Sequence, residues 1–378
     1  TPDLAPIVGE APEVRNYFIA AGLNSIGILT GGGLGRLMAH WITTGHPDMD
    51  VTGMDPARLQ AYQANPEYRR TRTVESLGMV YQCHYPNKSM TTARDAKRSP
   101  IHAQLQAQGA FFKDVSGWEG ADWYAGPGAT PDAGPLTFGR PAFWEQWEAE
   151  HRACREGVIL MDMSFMSKFK VQGRDAGRVL DRVSANEVDG PAGTITYTQW
   201  LDSSGGIAAD LTITRLEEHK FLVIASDIIH RRIEPMIRRE CRPGEVVVVT
   251  DVTSASTLLS VQGPASRALL QRLTDADLSN EALPYLTAQQ IHVGYAPVMV
   301  GRVTYVGELG YELHMPTEYA TGLYDLLVHT GADLGIRPVG LGAMASLRLE
   351  KGYRDMGVDI DNTDNPSAPS SSNCRASC

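Results

Sequence analysis

Ile207, Leu211 and Ile213 alternate with Asp210, Thr212 and Thr214, the period-two signature of a strand with one buried face. Ser204-Gly205-Gly206 ahead of it is a turn signal. Residues 211–215 and 221–225 read as a hairpin across 217–220. Further strands are expected over 17–21, around Phe169 and Val171 between Lys168 and Lys170, over 246–249 and 257–261, and over 298–306. Helical spacing appears elsewhere. Leu34, Leu37, Met38, Trp41 and Ile42 mark one face of a helix closed by Gly45; Phe143, Trp147 and Cys154 mark another, ended by Gly157. Asp175 is placed to cap a helix burying Val179, Leu180 and Val183. Pro264 opens one burying Leu269, Leu270 and Leu273, Thr317 caps one striped with Leu323, Leu326, Leu327 and Thr330, and 343–351 is the last.

The breaks in this pattern divide the chain. Residues 22–33 read as a glycine-dense loop, 45–68 as a polar connector, and 71–125 as a small α+β module without the regular alternation of a doubly wound sheet. Residues 126–139, rich in Gly and Pro, are the clearest linker, and a second domain begins near Arg140. After Pro366 the Ser/Ala/Pro-rich tail is expected to be disordered. The fold class is therefore α+β and multidomain. At 378 residues there is room for two or three real cores. A net charge of -10 argues against nucleic acid or an anionic membrane as the main partner. Five scattered cysteines argue for a reducing compartment without a disulfide framework, and no apolar run reaches membrane-spanning length. No metal site is expected: His40, His46, His84, His102, His151 and His292 lack partners at ligand spacing, and Cys374 and Cys378 lack companions.

Two features carry candidate chemistry. Aspartate is a poor strand former, so Asp210 early in a strand, beside two glycines that let another group approach the backbone, is a site candidate; the plainer reading is a solvent-facing residue after a hairpin. The second is the strand, glycine turn and helix start around 17–42, where free backbone N–H groups and the helix dipole suit a phosphate or a negatively charged ring oxygen. As a dinucleotide fingerprint it fails, because Arg36 stands where the third glycine belongs; a tight packing turn is the alternative.

Three stretches together resemble a known family. Asp210 after Gly205-Gly206, Tyr305-x-Gly307-Glu308-x-Gly310-Tyr311-Glu312, and Ser346-Leu347-Arg348-Leu349-Glu350-Lys351-Gly352-Tyr353 are similar to the folate-binding domain of glycine-cleavage aminomethyltransferases and of the dimethylglycine and sarcosine dehydrogenases. Residues 22–33 resemble the last flavin-contacting segment of those dehydrogenases, and Arg98-Ser99-Pro100 with Gly117-Trp118-Glu119 resembles their central module. The stretches 261–267 and 276–282 look closest to the sarcosine dehydrogenases. The resemblance covers 1–366. It implies the end of a FAD-dependent oxidoreductase domain over 1–62, a central module over 63–125, a linker over 126–139, a C-terminally incomplete folate-binding domain over 140–366, and a non-native tail over 367–378. The family's Rossmann-like flavin domain and terminal module are not in the sequence, so a fragment truncated at both ends, inactive alone in dehydrogenation, is expected.

The resemblance implies oxidation of an N-methyl amino acid, sarcosine first and dimethylglycine next, with the one-carbon unit passed to tetrahydrofolate. It assigns Asp210 as the catalytic carboxylate, and Tyr305, Glu312 and Tyr353 to folate. Gly27, Ile28, Gly31, Gly32 and Gly33 fall to FAD. The pterin presents an amino group and a ring N–H side by side, a donor pair that one carboxylate can accept. Implied partners are the small amine, folate and an electron acceptor such as an electron-transfer flavoprotein, in bacterial cytoplasm or mitochondrial matrix. The alternatives are a regulatory paralogue like the regulatory subunit of pyruvate dehydrogenase phosphatase, and an aminomethyltransferase.

Overall fold

A computed structural model describes residues 1–367. In chain order the elements are β1 (Ile7–Glu10), β2 (Phe18–Ala21), α1 (Gly27–Thr44), α2 (Pro66–Met79), α3 (His102–Ala107), β3 (Ala110–Val115), β4 (Trp118–Tyr124), α4 (Trp144–Glu156), β5 (Ile159–Asp162), β6 (Ser167–Gln172), α5 (Ala176–Val183) and β7 (Ile195–Leu201). There follow β8 (Ile207–Glu217), β9 (Lys220–Ala225), α6 (His230–Glu240), β10 (Val248–Asp251), β11 (Ser256–Gln262), α7 (Ser266–Gln271), β12 (Ala288–Val293), β13 (Ala296–Gly301), β14 (Gly310–Pro316), α8 (Ala320–Thr330), β15 (Arg337–Pro338) and α9 (Leu341–Glu350). Two larger sheets dominate: five strands ordered β10-β6-β9-β8-β7, and six ordered β12-β13-β14-β11-β5-β15.

Each sheet buries one apolar face in its own core, as strand alternation requires. The five-stranded sheet turns Phe169, Val171, Leu211, Ile213, Phe221 and Val223 toward α5 and α6, which supply Val179, Leu180, Ile233 and Ile237. The six-stranded sheet turns Leu259, Val261, Tyr311, Leu313 and Met315 toward α7 and α8. Ile101, Leu105, Ala110 and Tyr124 belong to this second core, so the segment expected in the central module packs across the Gly/Pro-rich stretch into the same apolar interior. The fully buried Glu150 carboxylate ties the pieces together, accepting from the Tyr124 N–H at 2.7 Å and the Gly340 N–H at 2.9 Å. Burial pushes that carboxyl up to about 7, against the pull of the two N–H groups.

Several local expectations are corrected. Residues 27–33 are not a loop but the first two turns of α1, held by Leu37, Met38 and Trp41 packing on Val8 and Val51. Glycine's low helix propensity hid them, and the packing of the following turns overrides it. The strand expected over 298–306 ends at Gly301, which leaves Tyr305 in a loop. Asp175 precedes α5 but makes no cap: its carboxylate accepts from the Val246 N–H and pairs with Arg178. The helix expected to open at Pro264 begins at Ser266, and Thr317 opens a short 3-10 turn ahead of α8.

After α9 the chain becomes a strap across the start of β8. Met356 and Ile360 sink into the five-stranded core, the Ile207 N–H donates to the Asp364 carbonyl at 3.0 Å, and the Asn362 side chain bonds to the Val51 N–H and the Met49 carbonyl. A Cβ at Gly206 would fall on the Asn362 carbonyl oxygen. The group that comes close to this glycine is therefore the chain's own strap.

Candidate functional site

Strand register decides which side chains face each other. Directly opposed residues in an antiparallel pair share a face. Asp210 lies opposite Gln199, and Thr212, two residues on, opposite Ile224; Ile224 in turn lies opposite Lys168. These five residues share the face of the five-stranded sheet turned away from its core. In the six-stranded sheet, Glu312 lies opposite Ser260 on one side and Gly301 on the other, and His314 opposite Met299. These too face away from their core. Leu222, Ile224 and Met299 pack together as one buried cluster, so the two outward faces meet. Asp210 and Glu312 thus stand on facing surfaces of two sheets.

The two carboxylates differ in setting. Gln199 Nε2 donates to Asp210 Oδ1 at 2.8 Å, and the Tyr197 hydroxyl also bonds the carboxylate. Burial nevertheless pushes the Asp210 carboxyl up to about 6, and the negative charge of Asp355 adds to the rise. Glu312 has His314 beside it, with Nε2 at 3.4 Å from Oε2. Lys168 is fully buried and donates from Nζ to the carbonyls of Ser164 and Met166, both at 2.8 Å. Burial lowers this ammonium to about 8, while Asp162, Asp251 and Glu312 pull it back up.

The tyrosines close one end. Tyr305 donates its hydroxyl to the Arg354 carbonyl at 2.9 Å, and its ring lies 6.2 Å from that of Tyr353, with the planes 13° apart. Burial first, then the charge of Asp355, raises the Tyr305 phenol well above its ordinary range, and Asp210 contributes as well. Arg348 holds the segment by donating to the Tyr353 carbonyl at 3.1 Å and pairing with Asp359. Tyr305, Tyr353, Asp355 and Asp210 therefore form one constellation, and α9 with the strap positions it.

Gly27, Ile28, Gly31, Gly32 and Gly33 stand apart from it on α1. Ile28 is 100 % exposed, and a Cβ at Gly31, Gly32 or Gly33 would meet nothing within 4 Å. Packing in this chain does not demand the glycines at 31–33, and the free N–H groups of the helix start belong to residues 27–29, because the Thr30 N–H already bonds the Ile26 carbonyl. A cleft of about 480 Å³ lined by Trp41, Asp55, Ala208, Arg232 and Met356 runs between this unit and the strap; neither Asp210 nor Glu312 lines it.

Sequence reading missed Lys168, Ser260, Gln262, Gln199, Tyr197 and Asp355. Lys168 was legible only as one polar position in an alternating strand, Ser260 only as a polar step in an apolar run, and Gln262 only as part of the 261–267 resemblance, without a role. Among the described residues no group of three or more His, Cys, Asp and Glu side chains is arranged to hold a metal, and no helix is long and apolar enough to cross a membrane.

Comparison with known proteins supplies a frame for this geometry. Residues 101–369 match the GCVT N-terminal domain, and residues 44–99 match the FAD dependent oxidoreductase central domain. The chain is 40% identical over 368 residues to 4-methylaminobutanoate oxidase (formaldehyde-forming) of Paenarthrobacter nicotinovorans, and 33% identical over 404 residues to mitochondrial sarcosine dehydrogenase of Homo sapiens. Each alignment takes in 97% of this chain and 44% of the relative, so the chain spans less than half the length of these curated relatives. The crystal structure of glycine cleavage system aminomethyltransferase T from Bartonella henselae is similar with a TM-score of 0.60 at 26% identity, over 72% of this chain and 67% of that one. The chain belongs to the GCVT N-terminal domain family, in the form taken by the sarcosine and dimethylglycine dehydrogenases, with a FAD dependent oxidoreductase central domain upstream.

Proposed function

We propose that this chain is the folate-handling part of a larger flavoprotein that oxidises an N-methyl amino acid and passes the one-carbon unit to tetrahydrofolate. Sarcosine and dimethylglycine are the first candidates for the amine, and a longer N-methylated amino acid fits the same chemistry. The observation that carries the reading is the placement of Asp210 and Glu312 on facing surfaces of two sheets that meet at Leu222, Ile224 and Met299, with Tyr305 and Tyr353 at one end.

The residues fit a reduced pterin. Glu312 offers two acceptor oxygens for an amino group and a ring N–H side by side, and buried polar atoms on the same face, Gln262 Oε1 and His314 Nδ1, have no partner among the described residues. Tetrahydrofolate supplies, when bound, the amine nitrogens that capture the one-carbon unit, and FAD in the longer protein supplies the hydride acceptor. Asp210 does the protein's share of the transfer. Its carboxylate stabilises a cationic iminium carbon donor by charge, and a carboxyl at about 6 can accept the proton that an amine nitrogen loses when it bonds to that carbon. Tyr305 and Tyr353 offer ring faces and limit water at that end. Electron transfer to a flavoprotein acceptor belongs to the longer protein.

The test is a calorimetric titration of tetrahydrofolate into this chain and into Glu312→Ala, with thermal melts to verify that both are folded. Saturable binding by the wild type, weakened about 100-fold in the variant, is the expected result. A folded wild type that binds nothing sends the weight to a regulatory role exerted through protein contacts.

A further inference from the structure

The outward face of the six-stranded sheet carries a polar row that the assignments above do not use. Ser260 on β11 lies directly opposite Glu312 and is 7% exposed. On the other side of Glu312 stands Gly301, against which the Ile195 side chain packs, and the neighbour of Ser260 on β5 is apolar Met161. Gln262, two residues on and 2% exposed, places its amide 2.8 Å from Ser260 Oγ and 3.3 Å from the Val303 carbonyl oxygen.

The Val303 contact fixes the polarity of the row. A carbonyl oxygen can only accept, so the amide group facing it is the nitrogen, and the same nitrogen faces Ser260. Ser260 Oγ therefore accepts from Gln262, and its own proton has no protein acceptor among the described residues. Gln262 Oε1 and His314 Nδ1 on the same face are also buried without partners. Buried polar groups left open in this way are costly, and a ligand that completes them accounts for their presence.

We propose that Ser260 is a specificity-determining donor that reads the ring carbonyl of a 2-amino-4-oxopteridine, with Gln262 as the positioning residue that orients it; the proposal rests on the folate reading above. Along that ring edge the amino group, the ring N–H and the ring carbonyl follow one another. Two donors meet the Glu312 carboxylate, and the acceptor next to them meets the Ser260 hydroxyl from the adjacent strand, about 4.8 Å away. A 4-amino group in place of the carbonyl removes the acceptor that the Ser260 proton would meet and also the ring N–H that Glu312 would accept, so it is disfavoured at both residues, and the Ser260 share is what a substitution there reads.

The experiment titrates tetrahydrofolate and 4-amino-4-deoxytetrahydrofolate, under anaerobic conditions, into the 378-residue chain and into Ser260→Ala, Ser260→Thr and Glu312→Ala, each verified as folded by its melt. The wild type is expected to prefer the 4-oxo ligand. Ser260→Ala should lose about tenfold in affinity for it and little for the 4-amino ligand, so the preference narrows by about that factor and the remainder belongs to Glu312, while Ser260→Thr keeps the hydroxyl and the full preference. Two results overturn the proposal alone: Ser260→Ala binding tetrahydrofolate as the wild type does while Glu312→Ala has lost it, or Ser260→Ala weakening both ligands equally. A wild type that binds neither ligand overturns the folate reading and this proposal together.

Discussion

The two halves of the candidate site treat their carboxylates in opposite ways. On the five-stranded sheet, Asp210 is supplied with donors by Gln199 and Tyr197, yet burial and the nearby Asp355 charge hold its carboxyl up at about 6. On the six-stranded sheet, Glu312 sits among polar atoms that the protein leaves open, with Gln262 Oε1 and His314 Nδ1 unpartnered and a glycine at its flank. On the proposed reading, the first half changes protonation near neutral pH and the second recognises a donor edge. A ligand between the two sheets would be held by the second and reacted upon by the first.

The largest expected effect separates these roles. Glu312→Ala should cut tetrahydrofolate affinity by about 100-fold, the worth of a charge-assisted pair of hydrogen bonds, whereas Asp210→Asn should change it by less than about threefold. Calorimetry on both variants reads the difference, and equal losses would erase the division of labour. Next comes the seat of the Asp210 half. Gly206→Ala drives a methyl group onto the Asn362 carbonyl and lifts the strap, at a cost of about 2–3 kcal/mol in denaturant unfolding.

Asp210 itself should be a stability cost. Its folded carboxyl binds protons more tightly than the unfolded one, near 3.9, so the folded state carries the excess proton between about 4 and 6. Stability is thereby lost as pH rises through that window, and the penalty is full above it. Asp210→Asn should accordingly raise stability at pH 8 by about 2 kcal/mol, with the gain fading toward pH 4. A gain that persists unchanged at low pH would show that the asparagine acts through packing. The smallest effect belongs to Asp355→Asn. Removing that charge should move the Asp210 midpoint downward, by less than burial moved it up, and carboxyl-carbon NMR can follow it.

Much of this arrangement could be read in the sequence because its signals are local. The alternation through Asp210 emerges as a strand, and the helices ending at Gly157 and following Asp175 stand where the apolar spacing puts them, whereas the strand that carries Glu312, β14, is not among the expected ones. What stayed hidden depends on long-range contacts. The glycine-rich start of α1 is helical only because Trp41 and its neighbours pack on Val8 and Val51. Ile101 and Tyr124 join the six-stranded core across a stretch that reads as a linker, and the strap over Gly206 pairs residues far apart in sequence. Ser260 and Gln262 gain meaning only once the register sets them beside Glu312. The tail expected to be disordered lies, beyond Ser367, outside the described residues.

The central claim is that the two carboxylates belong to one site. Its most direct test is the Asp210 carboxyl titration, followed by NMR without tetrahydrofolate and at one concentration that saturates the wild type but leaves Glu312→Ala largely unbound, in both proteins. The account predicts that ligand moves the Asp210 midpoint away from about 6 in the wild type and leaves it in place in the variant. An Asp210 signal blind to bound ligand in the wild type would contradict it.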